Sequence, residues 1–411
     1  MRESPRPILL DISRTVARSR LPRPTGIDRV ERAYINWAMQ RDAHFLAAVD
    51  DRHFLLNVAS IRPLLDWLDG KGVQPRLDLL AWLKPQRDIK LRAAQAHIRR
   101  NAIASTRMTG LVGMLRRYLP HGDLYLNVGH DNLSDGVIDA LGSAGLARAV
   151  MIHDTIPLDY PEFAQDGTPA RFLRKMNAVR RADHLIANSQ HTAERLRAHG
   201  ANQSVTVAPL GIEPLPRRGP NAPEQPTFVT LGTIEPRKNH ALLLSVWQRL
   251  WDEMGAASPK LVILGRRGWK NDAVFRTLDS APMMGRTVIE AGTLDDTALS
   301  EVLSRATALL FPSHAEGYGL PLAEALDAGV PCITSNLPAL REVGGVVPEY
   351  LSPTDEAAWH QAVLEYANPD HPRRTEQLAR LPAWQCPTWA AHFDAVENAM
   401  ETILVQSERR G

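Results

Sequence analysis

The sequence predicts an α/β protein of two Rossmann-like domains that face each other across a cleft. Three observations carry that expectation. Strand-like and helix-like stretches alternate along both halves, the pattern of parallel sheets with crossover helices. A run rich in proline, glycine and asparagine, residues 211–226, interrupts the alternation near the middle. The 411 residues also exceed one comfortable core, so two domains of about 150–200 residues each are expected. The divisions read from this are a first domain over 1–210, a linker over 211–226, a second domain over 227–385 and a terminal helical segment over 386–411.

In chain order, the apolar run 8–12 is a strand. The segment Thr25-Gly26-Ile27-Asp28-Arg29-Val30 opens a helix that runs to about residue 39. Residues 124–128 and 149–153 read as strands, and a helical run over 171–180 leads to a strand at 184–188. Ser189 is placed to cap a helix over 192–198, with Glu194 near its start. A strand at 205–208 closes the first half. Beyond the linker come a strand at 227–231, a helix to about residue 251, and strands at 261–264 and 287–290. A helix over 296–306, a strand at 308–311, a short helix over 322–328 and a strand at 331–334 follow. Residues 388–405 have helical periodicity.

A hydrophobic content of 44% with 23% charged residues belongs to a globular chain, and a net charge of +2 is too small to indicate a nucleic-acid partner. No apolar run approaches the length of a membrane span, and the polar first six residues with the short run Ile8-Leu9-Leu10 do not form a signal-peptide core. Two cysteines, Cys332 and Cys386, have neither metal-ligand spacing nor a disulfide framework. The expected compartment is the cytoplasm. Charge is uneven, however: residues 84–118 hold nine Lys or Arg against one acid, Asp88. Leu91, Ala94, Ile98, Ile103, Leu111, Val112 and Leu115 recur there at roughly helical spacing. Such a stretch is either a basic amphipathic helix on an anionic membrane or an ordinary surface helix, and both readings stay open.

The chemistry concentrates in residues 311–331. A buried strand ends at Pro312, Gly317 and Gly319 allow a tight turn without a Cβ in the way, and Pro321 suits the first turn of a helix that Gly329 stops. Unpaired amides and the helix dipole favour an anion at that start. Glu316 and Glu324, eight residues apart, can accept hydrogen bonds from sugar or ribose hydroxyls on one cleft. Just after the first strand of the second half, Gly232-Thr233-Ile234-Glu235-Pro236-Arg237-Lys238-Asn239 sets two cations at a helix start, a phosphate clamp in which Arg grips and Lys acts as a point charge. In the first half, His153-Asp154-Thr155-Ile156-Pro157 follows a strand, at the edge where open α/β sheets bind ligands. His130 and Asp131 form a second polar strand end that could meet an acceptor.

The run Ser313-x-x-Glu316-Gly317-Tyr318-Gly319-Leu320-Pro321-x-x-Glu324-Ala325 resembles the signature of family 4 of the glycosyltransferases, retaining sugar-nucleotide enzymes of GT-B fold. The resemblance covers residues 228–342 and is weaker in the first half. It implies that the second domain binds the donor and the first the acceptor, and that the terminal helix crosses back to the first domain. By it, Lys238 takes the diphosphate-binding lysine position, Glu324 the donor ribose and Glu316 the sugar ring, with the backbone of Tyr318, Gly319 and Leu320 close to sugar and phosphates. Gly265, Thr293 and Leu294 match segments that contact the nucleotide, His153 the histidine beside the donor sugar, and Gly26 the glycine loop facing the phosphates. Two departures stand out. Thr233 replaces an arginine that many members carry directly after the glycine, so Arg237 is expected to supply the second cation, and one glycine stands where the family often has two.

The implied reaction moves a hexose from a nucleotide-diphosphate sugar, GDP-mannose preferred over UDP-sugars, to a glycan or lipid-linked glycan in bacterial surface polysaccharide synthesis. It proceeds with retention by front-face attack, without a metal or other cofactor, cations and amides meeting the charge on the departing diphosphate. The catalytic set is then Glu316, His153, Lys238 and Arg237, the donor set includes Gly317, and the acceptor side holds His130, Asp131 and Asp154. Competing readings are a GT-B epimerase or phosphorylase, and a non-catalytic scaffold that binds a sugar nucleotide.

Overall fold

The computed structural model describes residues 7–21, 24–120, 123–214 and 225–408. Residues 215–224 of the expected linker, 1–6 of the first domain and 409–411 of the terminal segment lie outside them. Eight strands form the first sheet: β1 (Ile8–Asp11), β2 (Ala43–Val49), β3 (Arg52–Asn57), β4 (Ala104–Arg107), β5 (Leu124–Asn127), β6 (Ala147–Ile152), β7 (His184–Ala187) and β8 (Ser204–Val207), in the order β4-β3-β2-β1-β5-β6-β7-β8. Six form the second: β9 (Thr227–Leu231), β10 (Lys260–Leu264), β11 (Val288–Gly292), β12 (Ala308–Phe311), β13 (Cys332–Ser335) and β14 (Glu349–Leu351), in the order β11-β10-β9-β12-β13-β14.

The central strands read as continuous apolar runs because helices cover both faces of each sheet. All four residues of β1, and all four of β12, are buried. Two clusters pack against each sheet. One face of the first sheet carries Leu10, Phe45 and Ile186, the other Leu9, Tyr125 and Leu185. In the second, Phe228 and Trp247 stand on one side and Val229 and Phe311 on the other.

The expectation of parallel sheets needs one correction. β2 and β3 form an antiparallel hairpin through Asp50 and Asp51, and β4 adds antiparallel to β3. Asp50 takes the left-handed conformation (φ 55°) that the turn demands, a role more often given to glycine or asparagine. The basic stretch 84–118 is likewise not one helix. It contains the Ile89–Asn101 helix, β4 and the Leu111–Tyr118 helix. Ala94, Ile98, Leu111 and Leu115, part of the stripe for which a membrane helix and an ordinary surface helix both stayed open, are buried in the domain itself, so the periodicity records packing against the core. Among the described residues no helix is long and apolar enough to cross a membrane.

The Trp389–Glu408 helix packs on the first domain, with Val396, Met400 and Ile403 in its core. Phe393 stacks on Trp37 at 4.9 Å, His392 bonds the Tyr34 hydroxyl at 2.8 Å, and Glu397 accepts from Trp37 Nε1 at 2.9 Å. The second domain is therefore tied to the first at two places along the chain, by residues 211–214 and by this helix.

Candidate active site

In the second sheet the strand order reverses between β9 and β12, the position where open α/β sheets bind ligands beyond their carboxyl ends. Gly232 follows β9 with a φ of 143°, and its missing side chain leaves room for the stem of Lys238, whose Cε would lie 3.2 Å from a Cβ there. Gly265 is needed more strictly: a Cβ would stand 1.8 Å from the Gly232 carbonyl. After a turn over Pro236–Lys238, Asn239 adopts a left-handed conformation and bonds the carbonyls of Pro312 and Pro353 at 3.2 and 2.8 Å. That pins the cations against the loop after β12.

Lys238 Nζ lies 2.5 Å from Glu316 Oε1 and 4.5 Å from the centre of the Phe311 ring. Arg237 Nη1 is 2.9 Å from Glu316 Oε2 and 2.8 Å from the Ala315 carbonyl, while Nε and Nη2 reach Glu235 at 3.0 and 2.8 Å. Burial alone would raise the Glu316 carboxyl, but the two cations outweigh it and hold it down at about 2. Burial lowers the Lys238 ammonium from its ordinary value, with Glu316 opposing. Arg237, expected as a second diphosphate ligand, has protein partners on all three guanidinium nitrogens. Its position supports Glu316 more directly than it offers a phosphate site.

The loop that carries Glu316 meets the first domain. A Cβ on Gly317 would lie 2.1 Å from the His153 carbonyl, so this glycine lets the two backbones touch. Ser189 Oγ and Thr192 Oγ1 donate to the Gly317 carbonyl at 2.8 and 3.2 Å. Tyr318 turns its ring into the first domain's core and donates from its hydroxyl to the Leu210 carbonyl at 2.7 Å. Gly319, with a φ of 103°, caps the Leu320–Asp327 helix, which begins two residues earlier than the sequence indicated. Glu324 is buried in its second turn and forms an ion pair with Arg29 of the opposite domain.

Across the cleft, the Gly26–Ala38 helix starts beside Leu320, at 3.5 Å from a Cβ built on Gly26. His153 and His130 are both buried with rings 5.0 Å apart. His153 donates from Nε2 to the Val128 carbonyl and His130 to the Met151 carbonyl, each at 2.8 Å, so the pair cross-links the ends of β5 and β6. Burial lowers both imidazoles, His153 to about 4, which keeps them neutral. Asp154 is raised by burial and lies in the field of Arg237 and Glu316. Asp131 stands apart from that group, 3.5 Å from Lys175 and a third exposed. Gly265, Thr293 and Leu294 share the same sheet edge: Gly265 donates to the Gly292 carbonyl at 2.8 Å, two strands from β12. Thr293 is exposed and Leu294 half-buried.

Several features lay beyond the sequence reading. Arg29 sits three residues after Gly26 on the same helix face, a spacing that was legible, but its partner Glu324 is 295 residues away. Glu342 accepts from the amides of Gln190 and His191 at 2.6 and 2.7 Å, so a second-domain carboxylate caps a first-domain helix. Asp11 and Glu31 are buried at the reversal between β1 and β5, where burial raises them to about 6 and about 8. A cavity of about 300 Å³ lined by Arg18, Arg29, Arg32, Glu213, Leu320 and Trp389 adjoins the cleft through Arg29 and Leu320; its walls include neither Glu316 nor Lys238. Among the described residues, no three His, Cys, Asp or Glu side chains come together in a way that could hold a metal ion.

The sequence profile of the family described as glycosyl transferases group 1 matches residues 212–347, the stretch that builds this site. The serotype-specific mannosyltransferase WbdA of Escherichia coli is 30% identical over 263 residues, which are 57% of this chain and 32% of that protein. The match thus spans about a third of that relative's length. The O-antigen chain mannosyltransferase RfbU of Salmonella typhimurium is 24% identical over 221 residues, 53% of this chain and 60% of the other. Among solved structures, HepE of Anabaena in complex with UDP and glucose has a TM-score of 0.65 at 16% identity, covering 97% of this chain and all of the other. Sucrose-phosphate synthase of Thermosynechococcus elongatus gives 0.63 at 16%, covering 99% and 100%. Residues 212–347, which run through the strand-order reversal, thus carry a glycosyl transferases group 1 sequence, and the two-domain architecture, matched along nearly the whole chain, is the GT-B fold.

Proposed function

We propose that the protein is a glycosyltransferase that moves a hexose from a nucleoside-diphosphate sugar, with retention, to a glycan or lipid-linked glycan of a surface polysaccharide. One observation carries the reading. Lys238 and Glu316 form a buried pair at the strand-order reversal, one glycine from His153 and Asp154 of the opposite domain. In this reading Lys238 leaves Glu316 to meet the diphosphate as negative charge develops on it, together with the amides at the start of the Leu320–Asp327 helix. Glu316, held ionised by Arg237, faces the positive charge that spreads over the sugar ring. A leaving-phosphate oxygen takes the acceptor's proton. Glu324 holds the ribose hydroxyls. No metal is needed in this scheme, since protein cations and amides supply the charge.

GDP-mannose is the favoured donor because WbdA and RfbU, two of the relatives this chain resembles, are mannosyltransferases. The test is a panel of sugar nucleotides screened for thermal stabilisation and for slow hydrolysis of the donor. Selective stabilisation by GDP and turnover of GDP-mannose are expected. Selectivity for UDP would overturn the donor assignment, and no response to any nucleotide would favour a scaffold.

We place the enzyme in the cytoplasm at the inner face of the membrane. Support comes from exposed Leu79, Leu80, Trp82, Leu83 and Ile89, in and beside the short Leu79–Trp82 helix, with Lys71, Arg76 and Lys90 exposed near them. This moves the proposed contact from the buried stripe of 84–118 to residues just before it and at its start.

A further inference from the structure

We propose that Arg29, from the first domain, is the second cation at the donor's diphosphate, an inference that rests on the donor reading above. The charge balance of the second domain asks for one. Arg237 and Lys238 face Glu235 and Glu316, so the cluster has no net charge before the donor's negative phosphates arrive. Arg237 is committed on all three nitrogens. The residue after Gly232 is Thr233, whose Cγ2 packs over Gly268, so no cation comes from there. Of the residues that follow Gly232 to the start of its helix, this leaves Lys238 to turn toward a diphosphate.

Arg29 is placed to complete the site. It lies one turn after Gly26 on the Gly26–Ala38 helix, the helix whose start abuts Leu320 at the head of the Leu320–Asp327 helix. Its guanidinium reaches Glu324 through Nη1, yet the side chain keeps 38% exposure. Other arginines of the same two-helix corner are held by their own domain: Arg14 and Arg18 by Asp28, and Arg32 by Asp69. A guanidinium has five N–H donors in a planar fork, so one edge can stay on Glu324 while another grips phosphate. Ribose hydroxyls and Arg29 would share the Glu324 carboxylate, which sets the fork one ribose away from the diphosphate. Because Arg29 belongs to the first domain, the same contact would draw the two domains together over a bound donor.

The experiment titrates GDP, UDP, guanosine and uridine into wild type, Arg29→Met and Arg29→Lys by calorimetry, with a thermal melt of each variant. Arg29→Met should weaken the preferred diphosphate about ten-fold or more and leave the matching nucleoside within about two-fold, since charge-assisted bonds to phosphate are lost while ribose contacts remain. Arg29→Lys should retain most of the diphosphate affinity. The double variant Arg29→Met/Glu324→Gln, which removes the carboxylate's charge together with the guanidinium, should show the same diphosphate loss against Glu324→Gln alone if the single variant folds poorly. Unchanged diphosphate affinity in Arg29→Met, or an equal loss for nucleoside and diphosphate, would overturn the proposal while leaving the donor site standing. Failure of wild type to bind GDP or UDP would overturn the donor reading and this inference with it.

Discussion

Replacing Glu31 by glutamine should stabilise the first domain at neutral and alkaline pH and change little near pH 5. The side chain is 1% exposed, and of its two oxygens only Oε2 has a hydrogen-bond partner, the Thr15 hydroxyl at 2.6 Å. Oε1 sits so close to the backbone of Gly129 that a Cβ there would lie 2.6 Å away. Burial, with a smaller push from Asp11, raises its carboxyl from 4.5 to about 8. A raised carboxyl favours the fold fully below its ordinary value and loses that contribution as pH climbs to the folded value. Each unit is worth about 1.4 kcal/mol, so the span from 4.5 to about 8 amounts to roughly 5 kcal/mol between pH 4.5 and 8. Glutamine has the shape of the protonated acid and does not titrate. The assay is the melting temperature of wild type and Glu31→Gln from pH 5 to 8.5. The variant should gain on wild type with each unit, reaching a difference of roughly 10 °C at the top, at about 2–4 °C per kcal/mol for a domain of this size. Parallel curves would refute the argument, because they would mean that Glu31 carries the same charge in both states throughout.

Lys238→Ala and Glu316→Ala should each lower turnover by about two orders of magnitude or more while circular dichroism shows a persistent fold. Near-normal turnover in either purified variant would remove that residue from the chemistry. Gly317→Ala places a methyl 2.1 Å from the His153 carbonyl, so the domains must part at that point. Turnover should fall at least about ten-fold, with a larger radius of gyration by small-angle scattering; unchanged scattering and turnover would mean that the contact is not part of the active arrangement. Glu342→Ala removes the acceptor for the Gln190 and His191 amides and should cost about 1 kcal/mol of stability, measured by thermal melt against Glu342→Gln, which keeps one acceptor oxygen. Trp82→Ser with Leu83→Ser should abolish sedimentation with anionic vesicles that wild type shows at low salt; equal sedimentation of both proteins would displace the membrane contact from this surface.

The site at the second sheet's strand-order reversal was legible because its determinants are local. Gly232, Gly317 and Gly319 each answer a backbone demand, a close approach or a positive φ, within a few residues of a strand end. Strand ends at β9 and β12 follow from apolar runs, and their adjacency follows from the way parallel sheets are wound. The β2–β3 hairpin escaped because its turn is Asp50-Asp51 rather than a glycine pair, and because Ala43–Val49 holds three alanines and a leucine, which favour helices in isolation. The 84–118 stretch stayed ambiguous for another reason: helical periodicity reveals an apolar stripe without naming what covers it, and here the domain's own core covers Ala94, Ile98, Leu111 and Leu115.

By itself the sequence determined two alternating α/β halves, the loop that joins Glu316 to Glu324, and cations at the start of a helix. Tertiary structure decided the partners. It tied Arg237 to Glu235 and Glu316, set Arg29 against Glu324, made His130 and His153 a cross-link between strand ends, and capped a first-domain helix with Glu342. Backbone requirements act over a turn or two and leave their mark in adjacent residues. Charge pairing acts through space, between groups that the chain separates by up to hundreds of positions, so it becomes readable only after the two domains have met.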